Sequence, residues 1–364
     1  MKTDFYRIYK PIIGNLEQAF SLVLKEGIYI GGHYVDDLEL KLASFLESNE
    51  VVCCKSGTHA LMLSLLACDV GVGDEVITIG TTYYATAKAI TNVGAKCVFC
   101  DCIASEGYLD EDACISAITD KTKAVIPVHL YGFPHSYNKL RAVCKEKNIA
   151  IIEDCSHAFG TRFQGRLIGA ESEFACFSMY PTKNLGAFGD AGFVATTNKT
   201  MADRMRRLRY YADSSRQHFD SKAIHGRMDT LQAALIAEVI QLFPKLSERR
   251  RHIFSMYRKS LASCYQQLGV EEMSEIVPYE YPILCNKRDS LFELLRQFDI
   301  PVQKHYSTML HMLPEFGNKT PLPNTEAFNN SILCLPVIPD DLFHEHTEYI
   351  INIVNEFGLN NMYN

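Results

Sequence analysis

The sequence predicts an α/β fold, a large domain on a mostly parallel sheet followed by a smaller α+β carboxyl-terminal domain. Three observations carry this reading. Between about residues 50 and 200, short β-rich apolar runs alternate with segments whose apolar residues recur at i, i+3 and i+4, the sequence form of βαβ units. A long helical pattern then runs from Met228 to about Leu261, and Pro244 is predicted to interrupt it and mark a domain boundary. Beyond that point, strand-like and helix-like segments are mixed. We therefore expect a large domain over residues 1–240 and a smaller one over 241–364.

In chain order, the predicted strands are Glu75 to Ile79, Lys96 to Cys100, Ala124 to Val128, Ala150 to Glu153, Phe174 to Ser178 and Gly192 to Thr196. Each is a short apolar run of the kind a sheet buried on both faces requires. Ala60, Leu61, Leu63, Leu65 and Leu66, and later Leu140, Val143 and Cys144, mark crossover helices. A polar stretch spans Tyr210 to Lys222. In the last third, Ile276 to Leu284, Leu291 to Phe298, Pro301 to His305 and Thr347 to Phe357 are predicted strands and helices.

Composition narrows the class. Of the 364 residues, 47% are hydrophobic and 22% charged, and no apolar run approaches the roughly 18 residues a membrane span needs. The start at Met1, Lys2, Thr3 and Asp4, with Arg7 and Lys10 close behind, lacks the apolar core of a signal peptide. Thirteen cysteines are an odd number, too sparse for a disulfide scaffold, and predict reduced thiols in the cytoplasm. Thirty-six basic against 43 acidic residues give a net charge of -7, which argues against a general nucleic-acid binder.

Several motifs fail on their own chemistry. Gly71-Val72-Gly73 is followed by Val76 where a dinucleotide fingerprint needs glycine, and no Walker-type phosphate loop is present. Cys97, Cys100 and Cys102 with Asp101 lack a second cysteine pair at finger spacing, so buried thiols are expected and no metal. His344, Glu345 and His346 lack the i, i+4 spacing of a helical metal pair and are expected to form a solvated helix start. The clusters Arg204, Arg206, Arg207, Arg209 and Arg249 to Arg251 are expected on exposed helix faces.

One constellation holds together. Ser56-Gly57-Thr58 precedes an apolar helix, whose unpaired amides suit a phosphate. Asp154 stands at the carboxyl end of a predicted buried strand, where parallel sheets bind ligands. Lys183 follows another strand end, inside a glycine-containing turn. A lysine for a Schiff base, an acid for a pyridine nitrogen and donors for a phosphate are the requirements of pyridoxal phosphate, and Tyr83 offers an aromatic face.

These residues lie in motifs that resemble the DegT/DnrJ/StrS family of sugar aminotransferases, a branch of the aspartate-aminotransferase fold. The resemblance rests on Ser56-Gly57-Thr58-His59-Ala60-Leu61, Thr82-Tyr83-Tyr84-Ala85-Thr86, Pro127-Val128-His129-Leu130-Tyr131-Gly132, Glu153-Asp154-Cys155-Ser156-His157-Ala158, Ser178-Met179-Tyr180-Pro181-Thr182-Lys183-Asn184 and Arg227-Met228-Asp229-Thr230-Leu231-Gln232-Ala233-Ala234. They occur in the family's order over residues 27 to 236, with weaker similarity continuing through His305-Tyr306 and Leu335-Pro336. The fold this implies is a three-layer α/β/α large domain with a mostly parallel mixed sheet.

The resemblance further implies that Lys183 carries pyridoxal phosphate as a Schiff base, Asp154 pairs with the ring nitrogen and Tyr83 stacks on the ring. Gly57, Thr58 and Ser178 would hold the phosphate, with His157 near the ring hydroxyl. His225 stands where the family usually has an asparagine that reaches a neighbouring subunit's cofactor phosphate; Ser56 and His59 replace its frequent Asn and Asp. Tyr29, Tyr180, Arg227, His305 and Tyr306 would line the substrate site. The implied activity is amino transfer from glutamate or glutamine to a keto group of a dTDP-, UDP- or GDP-linked deoxy-sugar, in a homodimer with shared active sites. Lys183 argues against the family's sugar dehydratases, which carry histidine there. A lyase on the same fold and a non-catalytic cofactor-binding sensor are the alternatives.

Overall fold

The computed structural model describes residues 4–48, 50–211, 220–270, 272–317 and 320–361. Met1 to Thr3 and most of the polar stretch from 210 to 222 lie outside the described residues.

Seven strands form the main sheet: β1 (Glu50–Cys54), β2 (Glu75–Ile79), β3 (Lys96–Cys100), β4 (Thr122–Ile126), β5 (Ala150–Asp154), β6 (Phe174–Ser178) and β7 (Gly192–Thr196). Their order is β1-β7-β6-β5-β4-β2-β3. Pairing is parallel from β3 through β6, and only β7 runs against its neighbours. Sequence reasoning missed β1, whose strand partner among the described residues lies far along the chain, Glu50 opposite Thr196. The fourth strand starts and ends two residues earlier than predicted, leaving Val128 in an isolated bridge to Asp154.

The principal helices are α1 (Ile13–Glu26), α2 (His33–Leu46), α3 (Gly57–Ala67), α4 (Tyr84–Asn92), α5 (Asn138–Lys147), α6 (Lys199–Leu208), α7 (Thr230–Ser260), α8 (Arg288–Gln297) and α9 (Phe343–Asn361). Alternate side chains of a strand point to opposite faces. Val51, Cys53, Ala175, Phe177, Phe193 and Ala195 accordingly enter one core with α2 and α7, while Val52, Cys54, Phe174, Cys176 and Val194 enter another with α3 and α6. That is the three-layer arrangement.

Contrary to expectation, Pro244 does not interrupt its helix: α7 runs for 31 residues through it. A proline inside a helix costs roughly 3 kcal/mol. Here Ile236, Val239, Leu242, Phe243 and Leu246 are buried against the sheet, and Ile253 and Tyr257 in a carboxyl-terminal core. At roughly 1.5–3 kcal/mol for each such side chain, burial outweighs the proline.

The carboxyl-terminal core lies among α7, α8, α9 and an antiparallel pair, β8 (Tyr281–Leu284) and β9 (Ile332–Leu335). The predicted strand over Ile276 to Leu284 is thus shorter, β9 was not predicted, and Pro301 to His305 supplies only the isolated bridge from Gln303 to Cys334. Two predicted surface arginines are buried instead. Arg209 Nη1 donates to Glu39 Oε1 and the Cys53 carbonyl, both at 2.5 Å, and Arg250 Nη1 donates to the carbonyl of Pro278 at 3.1 Å. Cys97, Cys100 and Cys102 are buried free thiols as expected, and His344 is exposed at the start of α9. Among the described residues, no helix is long and apolar enough to cross a membrane.

Candidate active site

Asp154 ends β5 and Ser178 ends β6, its parallel neighbour, while α3 begins just after β1 on the far side of β7. The three meet around a cavity of about 550 Å³. Gly57, Thr58, Tyr83, Asp154, His157, Ser178, Tyr180, Lys183, His305 and Tyr306 all line it.

The phosphate-sized end is built by close approach. Ser56 adopts extended backbone angles and caps α3, its Oγ accepting from the His59 amide at 3.3 Å. The following amides have no partner within the helix. A Cβ on Gly57 would stand 2.7 Å from Ser178 Cβ, so only glycine lets the helix start lie against the end of β6. Ser178 Oγ accepts from the Tyr180 amide at 3.3 Å, which leaves its hydroxyl proton free to donate.

Asp154, also in the cavity wall, is buried and its carboxylate is held by two donors. Thr86 Oγ1 donates to Oδ2 at 2.8 Å, and the Ser156 amide donates to Oδ1 at 3.1 Å. Because the Thr86 proton is committed to Asp154, the 2.9 Å contact between Thr82 and Thr86 hydroxyls has Thr82 as donor. The result is a short hydroxyl relay that fixes the acid.

Lys183 sits in a turn closed by its own amide on the Tyr180 carbonyl at 2.8 Å. The next side chain anchors that turn: Asn184 Nδ2 donates to the carbonyls of His157 at 3.3 Å and Val277 at 2.8 Å. Lys183 Nζ lies 4.4 Å from the centroid of the Tyr279 ring. Burial strips the ammonium of water and lowers its pKa to about 8, against the pull of the Asp154 and Glu280 carboxylates.

His157 is stacked on Tyr279, ring centroids 4.3 Å apart. Its pKa is pushed well below the usual imidazole value, first by burial and then by Lys183 and His305. Nδ1 accepts from the Tyr131 amide at 3.1 Å, so the neutral ring carries its proton on Nε2, which is 3.3 Å from the Tyr306 hydroxyl. Tyr83 is exposed, with its ring 5.7 Å from that of Tyr306. His305 is gripped by Glu280, Nδ1 to Oε2 at 2.7 Å, and by the Tyr131 hydroxyl on its carbonyl.

Tyr29, His225 and Arg227 do not line the cavity. Arg227 Nη2 is 2.9 Å from His225 Nε2, its guanidinium lies over Tyr210, and Tyr29 is half exposed with its carbonyl bonded to the Thr230 amide. Sequence reasoning missed Thr86 as the partner of Asp154 and Thr82 as the partner of Thr86, although their i, i+4 spacing at the start of a helix was a usable signal. It also missed Tyr279 and Glu280, which no local pattern marks; only the fold brings them to Lys183.

The donor set suits pyridoxal phosphate: amides and a hydroxyl beside a helix start, a fixed carboxylate, and a buried amine of lowered pKa. Fold and cavity together define a pyridoxal-phosphate-dependent aminotransferase. The chain belongs to the DegT/DnrJ/EryC1/StrS aminotransferase family, whose sequence profile matches residues 12–355. It is 32% identical to the dTDP-3-amino-3,4,6-trideoxy-alpha-D-glucose transaminase of Streptomyces venezuelae, over 92% of this chain and 90% of that one. It is also 32% identical to the UDP-2-acetamido-2-deoxy-3-oxo-D-glucuronate aminotransferase of Pseudomonas aeruginosa, over 89% and 91% of the two chains. Among solved structures, it resembles the crystal structure of S. venezuelae DesV in complex with a ketimine intermediate, with a TM-score of 0.93, 32% identity, and coverage of 98% and 97%.

Proposed function

We propose that this aminotransferase moves an amino group from glutamate or glutamine to the C3 keto group of a sugar carried on dTDP or UDP. The observation that carries the chemistry is Lys183, which lines the same cavity as Asp154 with Nζ 4.4 Å from the Tyr279 ring centroid and its pKa lowered to about 8 by desolvation. About a tenth of such an amine is neutral at pH 7, against a negligible fraction of an ordinary lysine. The choice of C3 and of the two carriers is supported by the substrates in the relatives' names.

Pyridoxal phosphate, when bound, supplies the electron-accepting ring that makes a substrate C–H acidic. Lys183 would hold it covalently, and its amine would carry the proton to and from the substrate carbon. Asp154, fixed by Thr86 and Ser156, keeps the ring nitrogen protonated. Gly57, Thr58 and Ser178 hold the phosphate; Tyr83 covers the ring; His157 donates from Nε2 toward the ring hydroxyl. Tyr180, His305 and Tyr306 line the sugar side.

We also assign the protein a homodimer with shared sites, in the cytoplasm. The first is supported by Tyr29, Arg227 and His225, which stand clear of their own chain's cavity, and by the exposed apolar run Ile28, Tyr29 and Ile30. The buried free thiols support the second. Residues 241–364 serve as the part that completes the sugar side, consistent with Tyr279, His305 and Tyr306 in the cavity wall.

The test is a panel of 3-keto and 4-keto sugars on dTDP, UDP and GDP, with glutamate or glutamine as donor and the aminated carbon read by NMR. Turnover on 3-keto dTDP- or UDP-sugars is expected, and Lys183→Ala should lose both the visible cofactor band and turnover. Turnover of free amino acids with no keto-sugar requirement would establish the lyase reading instead.

A further inference from the structure

Two carboxylates act electrically on Lys183, and the chemistry above uses only one. Asp154 is committed to the cofactor ring nitrogen in that reading, on which this inference rests. The other is Glu280, whose side chain is 13% exposed and whose Oε2 stands 2.7 Å from His305 Nδ1. Glu280 directly follows Tyr279, the residue whose ring underlies Lys183 Nζ, so one short segment presents both a π face and a negative charge to the lysine. His305 in turn lines the cavity and is fixed at its carbonyl by the Tyr131 hydroxyl.

We propose that Glu280 is a positioning residue: it fixes His305 with the proton on Nδ1, leaving Nε2 free for a substrate oxygen, and, from a second cavity that it lines together with Lys183 and Tyr279, it supplies a counter-charge to the free Lys183 amine. A carboxylate can only accept, so the 2.7 Å contact requires Nδ1–H on His305. A neutral ring then offers Nε2 as an acceptor, the opposite of His157, whose Nδ1 accepts from an amide. His157 and His305 thereby present opposite hydrogen-bond characters to the cavity: His157 a donor, His305 an acceptor for a sugar hydroxyl. The charged and titratable groups around Lys183 and Glu280 include Asp154 from β5, His157 from the turn after it, Arg250 from α7, Tyr279 and Glu280 before β8, Cys334 from β9, and His305 with Tyr306. Glu280 and Asp154 are the acids among them, so neutralising Glu280 leaves a displaced Lys183 with only the acid already engaged.

The experiment uses the holoenzyme with Glu280→Gln and Glu280→Asp. The pH at which the visible cofactor band changes reports protonation of the nitrogen linked to Lys183. Removing a nearby negative charge disfavours the protonated form, so Glu280→Gln should lower that midpoint by roughly one pH unit, and Glu280→Asp should restore at least half of the shift. Nitrogen-15 NMR of the histidine rings should show His305 protonated on Nδ1 in the wild type and lose that preference in Glu280→Gln. With the keto-sugar, kcat should fall roughly tenfold or more, with a smaller change in KM for the amino donor. An unchanged midpoint in a folded, cofactor-loaded Glu280→Gln protein, or His305 protonated on Nε2 in the wild type, overturns the inference. Absence of a cofactor band in the wild type would instead overturn the function reading beneath it.

Discussion

A buried amine that is hard to protonate should weaken the fold that holds it, and Lys183 allows this to be measured. The fall of its pKa from 10.5 to about 8 is worth about 3 kcal/mol at 1.36 kcal/mol per pH unit. The unfolded chain binds the proton more tightly than the folded one, so between these two values stability rises with pH. Below about pH 8 the full penalty is present, and above pH 10.5 it is gone. In cofactor-free protein, Lys183→Met keeps the unbranched stem of the side chain and removes the terminal amine with its charge. It should therefore be more stable than the wild type by about 3 kcal/mol at pH 7, some 5 °C in melting temperature for a chain of this size. Melting curves of the two proteins from pH 7 to 10.5 supply the assay, since titrating groups not coupled to Lys183 cancel in the difference. The gain should shrink steadily as the pH rises. A Lys183→Met protein that is less stable at pH 7, or whose advantage is the same at both ends of the range, would refute the reasoning.

Two further predictions follow from packing and charge. Gly57→Ala would place a methyl 2.7 Å from Ser178 Cβ and push α3 away from β6; overpacking of this kind costs about 1–3 kcal/mol. Cofactor affinity, read by spectral titration, should fall roughly tenfold or more, and an unchanged affinity would exclude the close approach as the reason for glycine. Glu153, next to Asp154, is held at a pKa of about 2: burial works to raise it, but His129, Arg141 and Ser172 more than compensate. Its stabilising contribution is present above about pH 4.5 and is lost as the pH falls toward 2. Glu153→Gln should cost about 3–5 kcal/mol at neutral pH and flatten the acid-unfolding curve in that window. Acid unfolding identical to the wild type would count against it.

The parts of the fold that were legible in the sequence are those where local pattern and tertiary demand agree. β2, β3, β6 and β7 match their predicted spans because strands buried on both faces read as plain apolar runs. The carboxyl ends of β5 and β6 then disclosed Asp154 and Ser178 without any contact information. What stayed hidden was set by distant partners. β1 is defined by pairing with a strand over a hundred residues away, α7 survives Pro244 because two cores claim its apolar faces, and Arg209 is buried because Glu39 waits for it. The same holds within the site. Lys183, Asp154 and Gly57 carry their chemistry in their own motifs, whereas Tyr279 and Glu280 acquire theirs only by standing next to Lys183.

The uninterrupted α7 has a practical consequence for anyone dissecting the chain. Residue 240 lies in the middle of this helix, so a fragment ending there would strip Leu242, Phe243 and Leu246 from the sheet and leave the remaining piece without the start of its own longest rod. The catalytic pocket would lose Tyr279, His305 and Tyr306 in the same cut. The two halves should not be recoverable as separately expressed, soluble pieces that regain activity on mixing. Insertions and tags belong elsewhere, in exposed turns such as that at Val72 and Gly73, where a Cβ on Gly73 would meet no atom within 4 Å.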